Sequence, residues 1–299
     1  FIPDKFIDHT HSLAVLALAN QPNASEICKK VFGNKVAIVP YVMPGFDLAK
    51  AAFKEYEKAK EYALSQGNKL EGMILINHGI FSFGETAKTS YDRMITLVNI
   101  AETHLTRKIN LDLNPKIKTN SFSATLLPYL RGLLIRTAKK NNANNKWIFD
   151  VRNNESINEI FKSNDLSNLI KRGVATPDHV IRTKSIPLLL DDAKLIKENN
   201  FNDKEITNWI KDAEASLDSY IKDYESYFLR NNNLAAEKKK QLDPIPRIIL
   251  MPTIGLIGIG ADKKSSKIAA DIGQAWVETL LSAESTGSFM PVNEKDTFD

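Results

Sequence analysis

Two stretches far apart in the chain carry one pattern, and that pattern constrains the fold more than any other feature. "MILINHGIFSFGETAKTS" (73–90) and "IILMPTIGLIGIGADKKSS" (248–266) both read as strand, glycine, apolar and small residues, second glycine, polar loop and helix. Gly79 matches Gly255, Gly84 matches Gly260, Lys88 matches Lys264 and Ser90 matches Ser266, all at one offset. One supersecondary unit occurring twice predicts an α/β chain of two related units, each a layered sheet flanked by helices. Upstream, "PDKFIDHTH" (3–11) can be laid on "PDHVIRTK" (177–184) with one gap. That alignment sets Arg182, Thr183 and Lys184 against His9, Thr10 and His11, and puts Thr253 or Ile254 opposite His78.

The rest of the chain fits that plan. "DLAKAAFKEYEKAKEYALSQG" is amphipathic at helical spacing, and "ASEICKKVFG" ends on Gly33, a natural helix C-cap. "FNDKEITNWIKDAEASLDSYIKDYESYFLRNN" is a long helix whose stripe of Trp209, Ala213, Leu217, Tyr220, Tyr224 and Phe228 reads as core. "KKNNANNKW" is a polar, low-complexity tract. The expected organisation is a metal-bearing unit over 1–110, a helical and polar linker over 111–165, and a second unit over 166–299.

Composition narrows the function classes. The net charge is +4 and no basic run is long enough for a nucleic-acid arm, so nucleic acid is not an expected partner. The single cysteine, Cys28, forbids an internal disulfide and fits a reducing cytoplasm; its place on a helix argues for packing. No stretch of about 18 apolar residues suggests a membrane span.

Histidine is scarce, with five in the chain, yet His9 and His11 stand one residue apart. On a strand, residues i and i+2 face the same way, so the two imidazoles could share an ion or simply pack as a pair. His78 sits where the apolar strand "MILIN" runs into a glycine turn, the place where a sheet delivers a side chain to a site. Three imidazoles with one open position form a catalytic zinc arrangement, and another divalent ion suits the same donors. Asp8 neighbours His9 on the opposite face, as an outer-sphere partner or a solvated acid. His104, on a helix, and His179, in a loop, read as structural. "GLIGIG" has G-x-x-G-x-G spacing, which differs from the dinucleotide fingerprint, and the repeat accounts for its glycines.

"DHTHSLAVLAL", "FGNKVAIVPYVMPGFDLAK" and "LINHGIFSFGETAKTSYDRM" together resemble the class II aldolase/adducin family. More closely, they are similar to the aldolase half of bifunctional aldolase/short-chain dehydrogenase proteins, rhamnulose-1-phosphate aldolase/alcohol dehydrogenases among them. "RGVATPDHVIRTKSIPLLL", "PRIILMPTIGLIGIG" and "SFMPVNEKDTFD" resemble the stretch that joins the two halves. The resemblance implies that His9, His11 and His78 ligate zinc. It implies reversible aldol cleavage of a phosphorylated sugar such as rhamnulose 1-phosphate, in a homo-oligomer. It assigns the proton-abstracting Glu to a segment before Phe1, since neither Asp4 nor Asp8 matches it. NAD belongs to a dehydrogenase domain beyond Asp299, and the chain is expected to be a fragment. Arg182 and Lys184 are left as an anion site or structural residues. An adducin-like binding module and a nicotinamide-dependent oxidoreductase are the competing readings.

Overall fold

The computed structural model describes residues 2–106, 123–141, 143, 146–191 and 203–298. Among these, no helix is long and apolar enough to cross a membrane. The chain divides into two compact units. The first comprises Phe1–Asp112, Val174–Pro177 and Glu278–Asp296; the second comprises Leu113–Gly173, Asp178–Val277 and Thr297–Asp299.

In the first unit, strands β1 (Phe6–Thr10), β2 (Val36–Val39), β3 (Gly72–Leu75) and β4 (Gly79–Gly84) form a sheet in the order β1-β4-β3-β2. β4 runs antiparallel to both β1 and β3, and β2 is parallel to β3. A parallel neighbour needs a crossover, and helix α3 (Phe46–Ser65) supplies it between β2 and β3. Its apolar stripe, with Leu48 and Tyr56, packs on Ala37, Val39, Met73, Leu75 and Phe83. Helices α1 (Leu13–Ala19), α2 (Ala24–Phe32) and α4 (Ala87–Thr106) pack together, and α4 covers the other face. There Gly72 comes so close to Leu97 that a Cβ would stand 2.8 Å from its Cδ1. Cys28 on α2 is buried, which raises its thiol pKa to about 12 and leaves it unreactive.

The second unit repeats the topology. β5 (Ile148–Arg152), β6 (Leu188–Leu189), β7 (Ile248–Met251) and β8 (Gly255–Gly260) form a sheet in the order β5-β8-β7-β6 with the same parallel and antiparallel relations. Helices α5 (Ser123–Lys140), α6 (Glu155–Ile160), α7 (Leu166–Leu169), α8 (Val180–Thr183) and α9 (Asp203–Leu234) accompany it, together with α10 (Lys263–Thr286) as far as Val277; the rest of α10 belongs to the first unit. One core joins Leu126, Leu130, Leu133 and Leu134 of α5 and Trp209, Ala213 and Leu217 of α9 to Ile249, Met251, Ile257 and Ile259 of the sheet.

Two expectations need correction. The stretch read as a linker contributes α5 and the edge strand β5 to the second unit; residues 107–122 and part of the "KKNNANNKW" tract lie outside the described residues. The upstream repeat alignment also fails. β5, not 177–184, occupies the place of β1, because β5 pairs with β8 as β1 pairs with β4. His9 faces Phe81 and Val151 faces Ile257, so Val151, Asn153 and Ile254 stand where His9, His11 and His78 stand. The "VIRT" stretch instead forms one helical turn.

The matched glycines have a packing cause. A Cβ on Gly84 would lie 2.6 Å from the Ser90 backbone nitrogen, and one on Gly260 would lie 2.2 Å from that of Ser266. Strand and helix therefore approach each other in both units more closely than any side chain allows. Gly258 meets Ala270 and Ser266 in the same way. We predict that Gly260→Ala lowers unfolding stability by about 2–3 kcal/mol, read from the midpoint of urea unfolding. An unchanged midpoint would contradict this packing argument.

Candidate metal centre

The β3–β4 hairpin turn places the third histidine. Leu75 pairs with Gly79, leaving Ile76, Asn77 and His78 as the connection. Asn77 takes φ 57°, the left-handed region that asparagine tolerates better than most residues. The His78 N–H closes the turn on the Leu75 carbonyl at 3.1 Å. His78 is buried, with 8% of its surface exposed, whereas His9 is exposed and His11 half-buried.

β1 brings the other two. Its pairing with β4 sets His9 opposite Phe81, and the two rings stack at 4.2 Å with an interplanar angle of 20°. His9 Nδ1 lies 3.0 Å from the Ile80 carbonyl oxygen. A carbonyl only accepts, so Nδ1 carries the proton and Nε2 of the neutral ring presents its lone pair. His11 Nε2 faces that atom at 3.2 Å. Two ligands at about 2.0–2.1 Å from a tetrahedral zinc stand about 3.3 Å apart, so this spacing suits a shared ion. Ring centroids of His9, His11 and His78 are separated by 5.0, 5.3 and 5.3 Å, a nearly equilateral triangle. One ligand atom from each ring lies within 4.8 Å of the others.

Gly79 permits the convergence. A Cβ there would stand 2.7 Å from the Thr10 carbonyl oxygen, 2.9 Å from His11 Cδ2 and 3.1 Å from His9 Cε1. The donors fit a divalent ion: three imidazoles, one locked in its tautomer and stacked on an aromatic, with the His9 side open to solvent. Asp8 is exposed and paired opposite Ser82, on the other strand face from His9. His104 lies on α4 and His179 in a single 3-10 turn, where burial lowers its pKa.

Among the described residues, the second unit gathers no such group. Val151 and Ile254 lack donors, and Asn153 spends its side-chain amide on the Ile254 carbonyl at 3.0 Å. Arg152 bonds Asp150 and Asp271, each at 2.7 Å. The suggested pair of Arg182 and Lys184 does not present itself as an anion site. Arg182 is exposed, while Lys184 is buried with its ammonium on the Asp243 backbone oxygen and 4.0 Å above the Tyr224 ring. Sequence reasoning missed what sets Lys184 apart: φ 65° and burial, which the letters "RTKS" do not betray.

Two predictions follow from these geometries. Gly79→Ala pushes Thr10 and the His9 and His11 imidazoles away, so affinity for any divalent ion the three rings bind should fall at least about tenfold in a calorimetric titration; wild-type affinity would refute the close-approach argument. Burial, reinforced by the Arg247 guanidinium and opposed by Asp243, lowers the Lys184 pKa from 10.5 to about 7. The unfolded chain then binds this proton more tightly than the folded one above pH 7, so stability rises between pH 7 and about 10. Tyr224, whose ring faces the amine, is raised by burial to about 12 and in the folded protein ionises above that window. Lys184→Met should flatten the rise in a series of urea melts, and a rise that survives would show another group at work.

Comparison with known proteins gives the family. A family model for the class II aldolase and adducin N-terminal domain matches residues 3–105, and one for the second domain of class II aldolases matches 121–299. The protein named "Uncharacterized oxidoreductase YuxG", from Bacillus subtilis (strain 168), is 24% identical over 307 residues, covering 100% of this chain. The chain spans 41% of that relative's length. The solved N-terminal class II aldolase domain of a conserved protein from Thermoplasma acidophilum is 36% identical over 35% of this chain and 44% of its own, with a TM-score of 0.29. With one family match over each sheet, the chain belongs to the class II aldolase/adducin family.

Proposed function

We propose that His9, His11 and His78 hold one zinc ion, and that the protein uses it for reversible aldol cleavage of a phosphorylated ketose. Rhamnulose 1-phosphate, giving dihydroxyacetone phosphate and lactaldehyde, is the substrate we favour. The observation that carries this reading is the convergence of the three imidazoles at the open edge of the first sheet. All-imidazole donors suit zinc, and a bound ion would polarise a carbonyl oxygen as a Lewis acid.

The chain's own residues prepare the site. Ile80 fixes the His9 tautomer and Phe81 supports the ring, so that neither must reorganise on binding. His78 approaches from a buried turn, which leaves the solvent side to the substrate. The oxidoreductase name of the relative supports a longer protein that joins this aldolase to a dehydrogenase, where NAD would bind. A homo-oligomer is part of the reading: β1 is an edge strand with Phe6 and Ile7 partly exposed beside the site.

The test is metal analysis together with an aldol-cleavage assay on the full-length protein. We expect one zinc per chain, loss of cleavage on chelation with recovery on adding zinc, and background activity in His78→Ala with the ion gone. Folded protein that carries no metal, or a His78→Ala variant as active as the parent, would return the chain to a non-catalytic binding module.

A further inference from the structure

The turn that presents His78 is tied to a segment far along the chain. The Asn77 side-chain amide donates one hydrogen to Asn20 Oδ1 and the other to the Met290 carbonyl oxygen, both at 2.8 Å. The Asn77 backbone N–H donates to the Ala19 carbonyl at 3.1 Å. Met290 returns the contact, its N–H donating to the Asn20 carbonyl at 2.7 Å. Asn20 is fully buried at the end of α1 and is itself held by its amide on the Leu16 carbonyl at 2.9 Å.

The same segment is fastened on either side of Met290. Gln21 donates to the Thr286 hydroxyl at 3.0 Å, and Gly287 lies so close that a Cβ would stand 2.2 Å from Gln21 Oε1. Phe289 and Val292 are buried, and the Phe289 N–H donates to the Glu284 carboxylate at 2.5 Å. These residues all belong to the first unit. The equivalent turn of the second unit has Thr253 in place of Asn77, is held by Asn153 instead, and carries no ligand. The strap and the ligand thus occur in the same copy.

We propose that residues 286–292 act as a strap that positions His78 through Asn77, and that occupancy of the metal centre and order of the strap are coupled. Asn77 is a positioning residue: its amide fixes a left-handed turn one residue before a ligand. An outer partner that orients a ligand strengthens metal binding, and by linkage the metal must strengthen the strap's own contacts to the same degree. The inference rests on the metal reading above.

The test uses the full-length protein and Co²⁺, whose visible absorption reports ligation. Asn77→Gly keeps the positive φ but removes both amide bonds, and should raise the Co²⁺ dissociation constant about 10–100-fold. Met290→Pro removes the N–H on Asn20 from the other side and should weaken binding similarly, with the double variant little worse than either single one. Hydrogen exchange at the Met290 amide should slow when Co²⁺ is added, and His11→Ala should abolish that slowing. Wild-type Co²⁺ affinity in both folded single variants, or Met290 exchange indifferent to the metal, overturns the strap while leaving the metal site standing. A wild-type protein that takes up no Co²⁺ overturns the metal reading and the strap together.

Discussion

The antiparallel pairing of β1 with β4 is the constraint on which the first unit depends. It sets His9 against Phe81, aims His9 Nδ1 at Ile80 and holds His11 over the hairpin that carries His78. A register slip of one residue would send His9 to the opposite face and dissolve the triangle. Register is held by the buried residues of β4, Ile80 and Phe83, and by Gly79, which lets β1 come close at the turn. Fold and site are therefore one arrangement here, since the pairing that buries the sheet is also the pairing that gathers the imidazoles.

The second unit shows what the same plan becomes without ligands. Its sheet order, its crossover helix and its helix-contacting glycine survive. At the three ligand positions it has Val151, Asn153 and Ile254, and its edge strand is tied by Arg152 to Asp150 and Asp271. The packing glycine is shared because strand and helix meet in both units; the histidines are not, because nothing in the packing requires them. That contrast supports a functional origin for His9, His11 and His78.

Much of this was legible in the letters because local chemistry fixed it. "NHG" at the end of an apolar strand and "HTH" on a short strand both declare their geometry through period and turn residues. The stripe of α9 from Trp209 through Leu217 did the same. The place of β5 was not legible, since "IFDVR" is a half-exposed edge strand beside a polar tract and has no strong alternation. The shared Pro-Asp at 3–4 and 177–178 drew the alignment to "VIRT" instead, which folds as a helical turn. Asn77 was beyond sequence reasoning altogether, because its partners are Asn20 and Met290, the latter 213 residues away. Tertiary contact of that range leaves no local pattern to read.

His9, His11 and His78 should hold one ion per chain, with Val151, Asn153 and Ile254 at the matching positions of the second unit holding none. Anomalous diffraction at the zinc edge, from crystals of the protein grown with zinc, tests this most directly. A single strong peak bonded to His9, His11 and His78 nitrogens at about 2.0–2.1 Å is expected. A map without that peak, or with the ion held elsewhere while the three rings stay apart, would contradict it.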